Sequence, residues 1–359
     1  MNALRRRIVM RVGIVPPTLC LLLMLSRECQ GQIAGNQPDW GVHPMEYSNV
    51  GSSGWQFLKL PANARSAAMG GVKAALSYGD ANAAFMNPAS AADIKNLDVQ
   101  FSSMKWVADI QYSGVSFVQN LGNWGCVGLN LQYLDYGEMV RTVVGQSYDQ
   151  LGNDLGILPI TEGLGTFSGH DLAIGLLYSR QITKSLQLGG NVRMVEEQLD
   201  DATTRNWSLD IGTLYWTGLG SLRVSMLARN FGPDAQFTSY SDQIKIPPVK
   251  VSMPMMFFLG AAYDILESAP QSPHRLTVAT EYIKPNDGPE KINLGVEYFF
   301  SYNFYARCGY RFNYDEEKYT LGFGFEYSIT DDRKVRFDYA LAYLGRLNSV
   351  NVFSVGLSL

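Results

Sequence analysis

A chain of 359 residues that is 46% hydrophobic and only 17% charged carries too little charge for an ordinary water-exposed surface, where about a quarter of residues are charged. Its 29 basic and 33 acidic residues give a net charge of −4, which excludes the basic footprint of a nucleic-acid binder. The 20 tyrosines, 17 phenylalanines, 6 tryptophans and 35 glycines favour strands and turns over helices, so the composition predicts an all-β protein.

At the amino terminus Arg5, Arg6, Arg7 and Arg11 precede an apolar stretch reaching Leu25, followed by small or polar residues around Gly31. That order is the order of a cleaved secretory signal peptide, here residues 1–31. A retained anchor is the alternative, but the stretch falls short of the roughly 20 residues of a spanning helix, and Pro16 and Pro17 interrupt it. Cys29 raises a lipoprotein reading, against which Glu28 stands where a small residue is needed. Cleavage removes five arginines and one glutamate, leaving 24 basic against 32 acidic residues and a net charge of −8. Cys20 and Cys29 depart with the leader. Cys126 and Cys308 remain in separate strand patterns, which gives no disulfide framework.

Within residues 32–96 the run FLKLPANARSAAMGGVKAALSYGDANAAFMNPASAA, residues 57–92, is the most motif-like part of the chain. Its alanines and Gly70-Gly71 permit close backbone approach, and Pro88 pushes Asn87 out of helical dihedrals. A loose periplasmic linker is the plain alternative, yet linkers are rich in Ser and Pro rather than small apolar residues. The segment is therefore expected to plug a lumen as a hatch.

From Leu97 onward, residues 97–359, alternation predicts fourteen strands: 97–105, 109–119, 124–136, 169–181, 185–199, 206–217, 221–230, 253–265, 274–283, 290–300, 303–314, 317–328, 333–344 and 349–358. Most run ten residues or more, longer than the five or six typical of globular strands and close to the nine to eleven that cross a bilayer when tilted. In the run 318–329, KYTLGFGFEYSI, one parity holds Tyr319, Leu321, Phe323, Phe325 and Tyr327, and the other Lys318, Thr320, Gly322, Gly324, Glu326 and Ser328. A soluble sandwich would fill the second parity with solvated Lys, Glu, Thr and Arg. Here Gly, Ala and Ser dominate it, as in a partly filled interior. Tyr319 and Tyr327 bracket a span of about 20 Å, the height of an apolar band with aromatic girdles. Without water in the hydrocarbon, strands cross it only as a closed cylinder. The prediction is a 14-stranded antiparallel transmembrane β-barrel with an amino-terminal hatch, in contact with outer-membrane lipid. The long connections, 137–168 and 231–252, follow odd-numbered strands, while those after even-numbered strands are mostly tight, which puts both termini in the periplasm.

The quoted residues resemble a known family. Leu58-Lys59-Leu60, Ala64-Arg65, Met69-Gly70-Gly71, Ala74-Ala75, Asp80-Ala81 and Asn87-Pro88-Ala89 resemble the amino-terminal signature of PorV/PorQ-type outer-membrane proteins. Asp338-Tyr339-Ala340, Gly345-Arg346-Leu347 and Phe353 to Leu359 are similar to that family's last two strands. The resemblance implies a FadL-like barrel whose hatch motif here is Arg65, Met69, Gly70, Gly71, Asn87 and Pro88. It also implies type IX protein secretion, with secreted cargo and other secretion-machinery proteins as partners. The alternative is a hatch-gated channel for hydrophobic small molecules, with a lipid-like ligand in the lumen.

Enzymatic readings find no footing. His43, His170 and His274 are too few and scattered for a metal cluster, no nucleophile motif occurs, and Gly322 and Gly324 open no helix that could cradle phosphate. No cofactor is expected. Asp210, Glu281, Glu297, Arg307, Arg311, Glu326, Arg336 and Asp338 fall on the inward parity, where buried charges need partners, so a neutralising lumen network is expected. Ile244, Ile246, Val249, Val251, Met253, Met255 and Met256 form a candidate partner-binding loop of adaptable apolar side chains, with an early start to the eighth strand as the simpler alternative.

Overall fold

The computed structural model describes residues 50–76, 79–148, 154–160, 164–236, 250–265, 274–300, 303–330 and 333–359. The expected leader, residues 1–31, lies outside them, as do residues 32–49 and Ile244, Ile246 and Val249.

Fourteen antiparallel strands close into a barrel, in which each strand pairs with its neighbours in sequence and the last pairs with the first. They are β1 (Leu97–Lys105), β2 (Gln111–Asn120), β3 (Cys126–Val140), β4 (Thr166–Gln181), β5 (Leu186–Leu199), β6 (Ala202–Trp216) and β7 (Arg223–Phe231). The second half comprises β8 (Met256–Asp264), β9 (His274–Pro285), β10 (Lys291–Phe300), β11 (Phe304–Phe312), β12 (Tyr319–Ser328), β13 (Lys334–Tyr343) and β14 (Ser349–Ser358). Closure is locked where Leu97 and Leu359 exchange backbone hydrogen bonds of 3.3 and 2.8 Å. All fourteen expected strands are present. Two short hairpins are added to the pattern, Val143–Tyr148 with Asp154–Ile160, and Ala235–Gln236 with Lys250–Val251. Both belong to the two long connections, which leave the same end of the barrel. The opposite end carries the short turns and the meeting of β1 with β14.

The alternation has the expected sense. Tyr319, Leu321, Phe323 and Tyr327 are exposed on the outer face, as are Leu176, Val192, Met226 and Phe353 on other strands. Aromatic rings pack in tilted pairs across that surface, Phe323 on Tyr339 at 5.3 Å and Tyr339 on Phe353 at 5.0 Å between centroids. No helix among the described residues is long and apolar enough to cross a membrane, and the crossing elements are the strands. We expect Phe323→Arg, at mid-strand on the lipid face, to cost about 2–4 kcal/mol of folding free energy in vesicles, read by denaturant titration.

The inner parity is small because backbone lies directly on it. A Cβ at Gly309 would overlap the backbone of Gly70, one at Gly295 would come within 2.6 Å of the Met69 carbonyl oxygen, and one at Gly189 would strike the Pro88 carbonyl carbon. Residues 53–76 and 79–94 occupy the lumen, and the plug expected from the sequence is what these glycines accommodate.

Candidate functional site: two lumen cavities and the hatch between them

The hatch is built from short helical turns, each started by a side-chain cap. Asn63 Oδ1 accepts from Ser66 N at 2.8 Å and opens the helix α1 (Ala64–Ala68). Asp80 caps the 3-10 turn Ala81–Phe85, and Asn87 caps Pro88–Asp93 with the proline at its first helical positions. Short polar caps satisfy otherwise orphaned backbone donors, and proline there forfeits no hydrogen bond. After α1 the chain reverses through Gly70 and Gly71, at φ 72° and 83°, a left-handed conformation that glycine adopts without steric cost.

Each residue of the expected hatch motif is placed in this arrangement. Met69 is buried with Val72, Ala75, Leu76, Ala262 and Ala279. The Asn87 amide donates to Ala74 O at 2.7 Å, Thr213 O at 3.0 Å and Ser225 Oγ at 2.9 Å, and its oxygen accepts from Ala89 N, so one side chain stitches the two halves of the hatch to the wall. That oxygen occupies the space a Cβ at Gly212 would need. Arg65 reaches the wall with a bidentate grip on Glu297, Nε to Oε2 at 2.9 Å and Nη2 to Oε1 at 2.8 Å.

Of the eight expected lumen charges seven are ion-paired, in separate groups, and Glu281 is held by backbone nitrogens. Glu297 also accepts from Arg307 Nε at 2.7 Å, and Arg307 Nη1 donates to Asp338 at 2.5 Å. Arg336 Nη2 donates to both oxygens of Asp98 at 2.8 Å, and its Nε stands 3.9 Å from Asp80 in the hatch. Glu281 accepts from the backbone nitrogens of Lys73 and Ala74 at 2.9 and 2.6 Å. Arg311 pairs with Glu317 and donates through Nε to Gly70 O at 3.1 Å. Glu326 pairs with Lys334 at 2.8 Å. Asp210 takes Arg193 at 2.6 Å, Arg229 at 3.4 Å and the backbone nitrogen of Asn230 at 2.8 Å.

Arg193 and Arg229, both fully buried, are the partners that reading the later strands alone misses. Their signal is parity, since Arg193 alternates with Leu188, Val192 and Met194, and Arg229 with Val224 and Met226. Hatch residues Lys73 and Asp80 carry no such signal, because short helical turns have no period of two.

The Met-rich loop is corrected by the structure. Met253 is 0% and Met256 7% exposed, and Val251 and Met255 pack on the same core cluster as Trp55 and Phe57. Asn286 Nδ2 binds Met253 O at 3.0 Å and Asn230 Nδ2 binds Pro254 O at 3.1 Å, which draws the segment inward. Its described part is thus a lumen-facing entrance to β8 and not an external adhesive surface.

Two cavities flank the hatch. The loop-side cavity, about 310 Å³, has an apolar wall of Leu60, Met256, Phe258 and Ile283 and a charged wall that includes Lys73 and Lys291. The turn-side cavity, about 330 Å³, is lined by Arg65, Asp80, Asp98, Arg307, Arg336 and Asp338 among others. Along β10 and β11 the first reaches Asn293 and Arg311 and the second Arg307. Between them lie Gly295 and Gly309, covered by Met69 and Gly70. Gly70 N donates to Thr320 Oγ1, which in turn donates to Ala68 O, both at 2.9 Å, and Ala68 Cβ rests against Gly322. The turn Ala68–Gly71 is therefore the partition between the cavities.

The profile of an uncharacterised protein family, UPF0164, matches residues 42–194, the hatch and the first strands. No curated relative matches the chain. Among solved structures the chain is similar to the CymD monoaromatic hydrocarbon channel, at 14% identity and a TM-score of 0.52 over 83% of this chain and 96% of that one. It is similar to the TodX deltaS2S3 mutant monoaromatic hydrocarbon channel, at 15% identity and 0.53 over 82% and 97%. The Pseudomonas putida toluene transporter TodX aligns at 13% identity and 0.51 over 82% and 95%. All three are described as channels or transporters of hydrocarbons. At these identities the likeness is one of fold, that of the closed barrel of these outer-membrane channels.

Proposed function

We propose that this protein is an outer-membrane channel that admits hydrophobic small molecules from the side of the long connections and releases them, past the hatch, at the end where β1 meets β14. In this reading the long connections face outward and the barrel's ends meet in the periplasm, as the loop lengths suggest. The observation that carries it is the partition: along β10 and β11 the turn Ala68–Gly71, seated on glycines, stands between two cavities at opposite ends of the lumen. The apolar wall of the loop-side cavity, Met256, Phe258 and Ile283, suits a solute that leaves water readily. The structural relatives described as hydrocarbon channels add support by analogy of fold alone. The barrel carries its solute unchanged, with no chemistry performed on it.

The secretion role has less behind it. It needs an adaptable outer surface, and Met253 and Met256 are buried. The test is uptake of a radiolabelled aromatic or alkyl solute by cells with and without the barrel. Faster uptake with it is the expected result, whereas equal rates together with a secreted protein co-purifying in stoichiometric amount would favour secretion instead.

A further inference from the structure

Near the loop-side ends of β4, β5 and β6 three inward-facing residues stand side by side. Asp171 on β4 is in register with Glu197 on β5, and Glu197 with Thr204 on β6. Residues directly opposite on antiparallel strands hold their Cβ atoms about 4.5–5.5 Å apart, and like charges so placed repel. Yet among the described residues neither carboxylate has a lysine, arginine or histidine nitrogen within 4.0 Å. Glu196, next in the chain and on the outer parity, has Arg205 beside it. Water offers the inner pair little help. Leu134, Ala173 and Val195, the neighbouring inward residues on β3, β4 and β5, belong with Trp55 and Phe57 to an apolar cluster.

Several oxygens of this row have no partner. Asp171, 1% exposed, accepts the Tyr136 hydroxyl at 2.8 Å through Oδ2, while its Oδ1 accepts nothing. The hydroxyl of Thr204, 3% exposed, is also unpartnered. Glu197 accepts from the Trp55 backbone nitrogen at 2.8 Å through Oε2, which leaves Oε1. A buried carboxylate oxygen without a donor or a cation is costly. Carboxylate and hydroxyl oxygens together are the donor set of calcium, whereas structural zinc and copper sites draw on nitrogen and sulfur.

We propose that Asp171, Glu197 and Thr204 form a calcium site just inside the loop-side mouth. Asp171 Oδ1, Glu197 Oε1 and Thr204 Oγ1 are its protein ligands, and water completes the roughly six to eight positions that calcium fills. One divalent ion neutralises both carboxylates and turns their repulsion into a bridge across three strands. Glu197 also holds Trp55, and the turn that follows, Gln56–Lys59, is tied to Asp287 between β9 and β10. The ion therefore steadies the amino-terminal segment where it links those two parts of the wall. None of the three ligands lines the loop-side cavity, so the site stands apart from whatever the channel carries.

The experiment is calorimetric titration of the purified barrel, stripped with EDTA and held in a nonionic detergent near neutral pH, with calcium chloride. One ion per chain is expected, with a dissociation constant of about 0.1–1 mM, the range of extracellular calcium modules. Saturating calcium should also raise the temperature at which the compact form is lost on unheated electrophoresis, because an ion bound to the folded state alone stabilises it. Asp171→Asn and Glu197→Gln should each weaken calcium binding about tenfold or more, since each removes one of two ligand charges, and should abolish the rise. Glu196→Gln should change neither. Anomalous diffraction from calcium in crystals of the parent locates the ion even where a variant fails to fold, and a peak between Asp171 and Glu197 is expected. A stripped parent that takes up no calcium overturns the proposal and leaves the pair to share a proton. Binding that both substitutions leave unchanged, or a peak elsewhere, overturns it as well, and each of these results leaves the channel reading untouched.

Discussion

Glu297→Ala is expected to destabilise the protein by about 3–5 kcal/mol and to free the hatch from the wall. Glu297 is fully buried and is the common acceptor for Arg65 of the hatch and Arg307 of β11. Two guanidiniums held together by one carboxylate repel each other once it is gone. Arg307 keeps Asp338, so the loss falls on the Arg65 grip. The expected readout is a lower temperature for loss of the compact form on unheated electrophoresis, together with new protease cleavage near Arg65. Adding Arg65→Ala should restore part of the loss, because the second change removes one of the two repelling guanidiniums. If Glu297→Ala melts as the parent does and its hatch stays protected, the Arg65 grip contributes little to seating.

The barrel was legible because a strand's period of two sorts lipid from lumen in every segment. Trp207, Leu209 and Ile211 against Ser208, Asp210 and Gly212 shows it on β6 as clearly as Tyr319 to Tyr327 does on β12. The charges of the later strands were legible for the same reason, and Arg193 and Arg229 were available to anyone applying that rule to β5 and β7. What the sequence could not convey is which hatch residue faces which strand. Arg65 and Glu297 are 232 positions apart, and no local pattern joins them. The two cavities were invisible for a related reason, since each arises from hatch and wall residues far apart in the chain. The loop before β8 misled because Met serves equally well in an adaptable surface and in an irregular core gap. Only the hydrogen bonds from Asn230 and Asn286 decide for the core.

Gly309→Ala is the sharper test of the partition. Gly309 does not adopt a positive φ, so alanine suits its backbone and the effect of the substitution is purely steric. The added Cβ meets the nitrogen and Cα of Gly70 and the carbonyl carbon of Met69, all backbone atoms that cannot rotate away. The wall cannot yield either, because Gly309 is paired on one side with Gly295 and on the other with Thr320. The hatch turn must lift, and with it go the bonds from Gly70 N to Thr320 and from Arg311 to Gly70 O. Overpacking of this kind costs about 1–3 kcal/mol, less than the barrel's own pairing, so the cylinder should survive while its partition shifts. Lifting that turn joins the two cavities along β10 and β11. Planar-bilayer recordings should then show ion conductance for Gly309→Ala where the parent is closed, and Gly190→Ala should stay closed, since its Cβ would meet nothing nearer than Asp210 O at 3.5 Å. A Gly309→Ala barrel that folds and stays electrically silent would mean that the passage does not run beneath Met69 and Gly70.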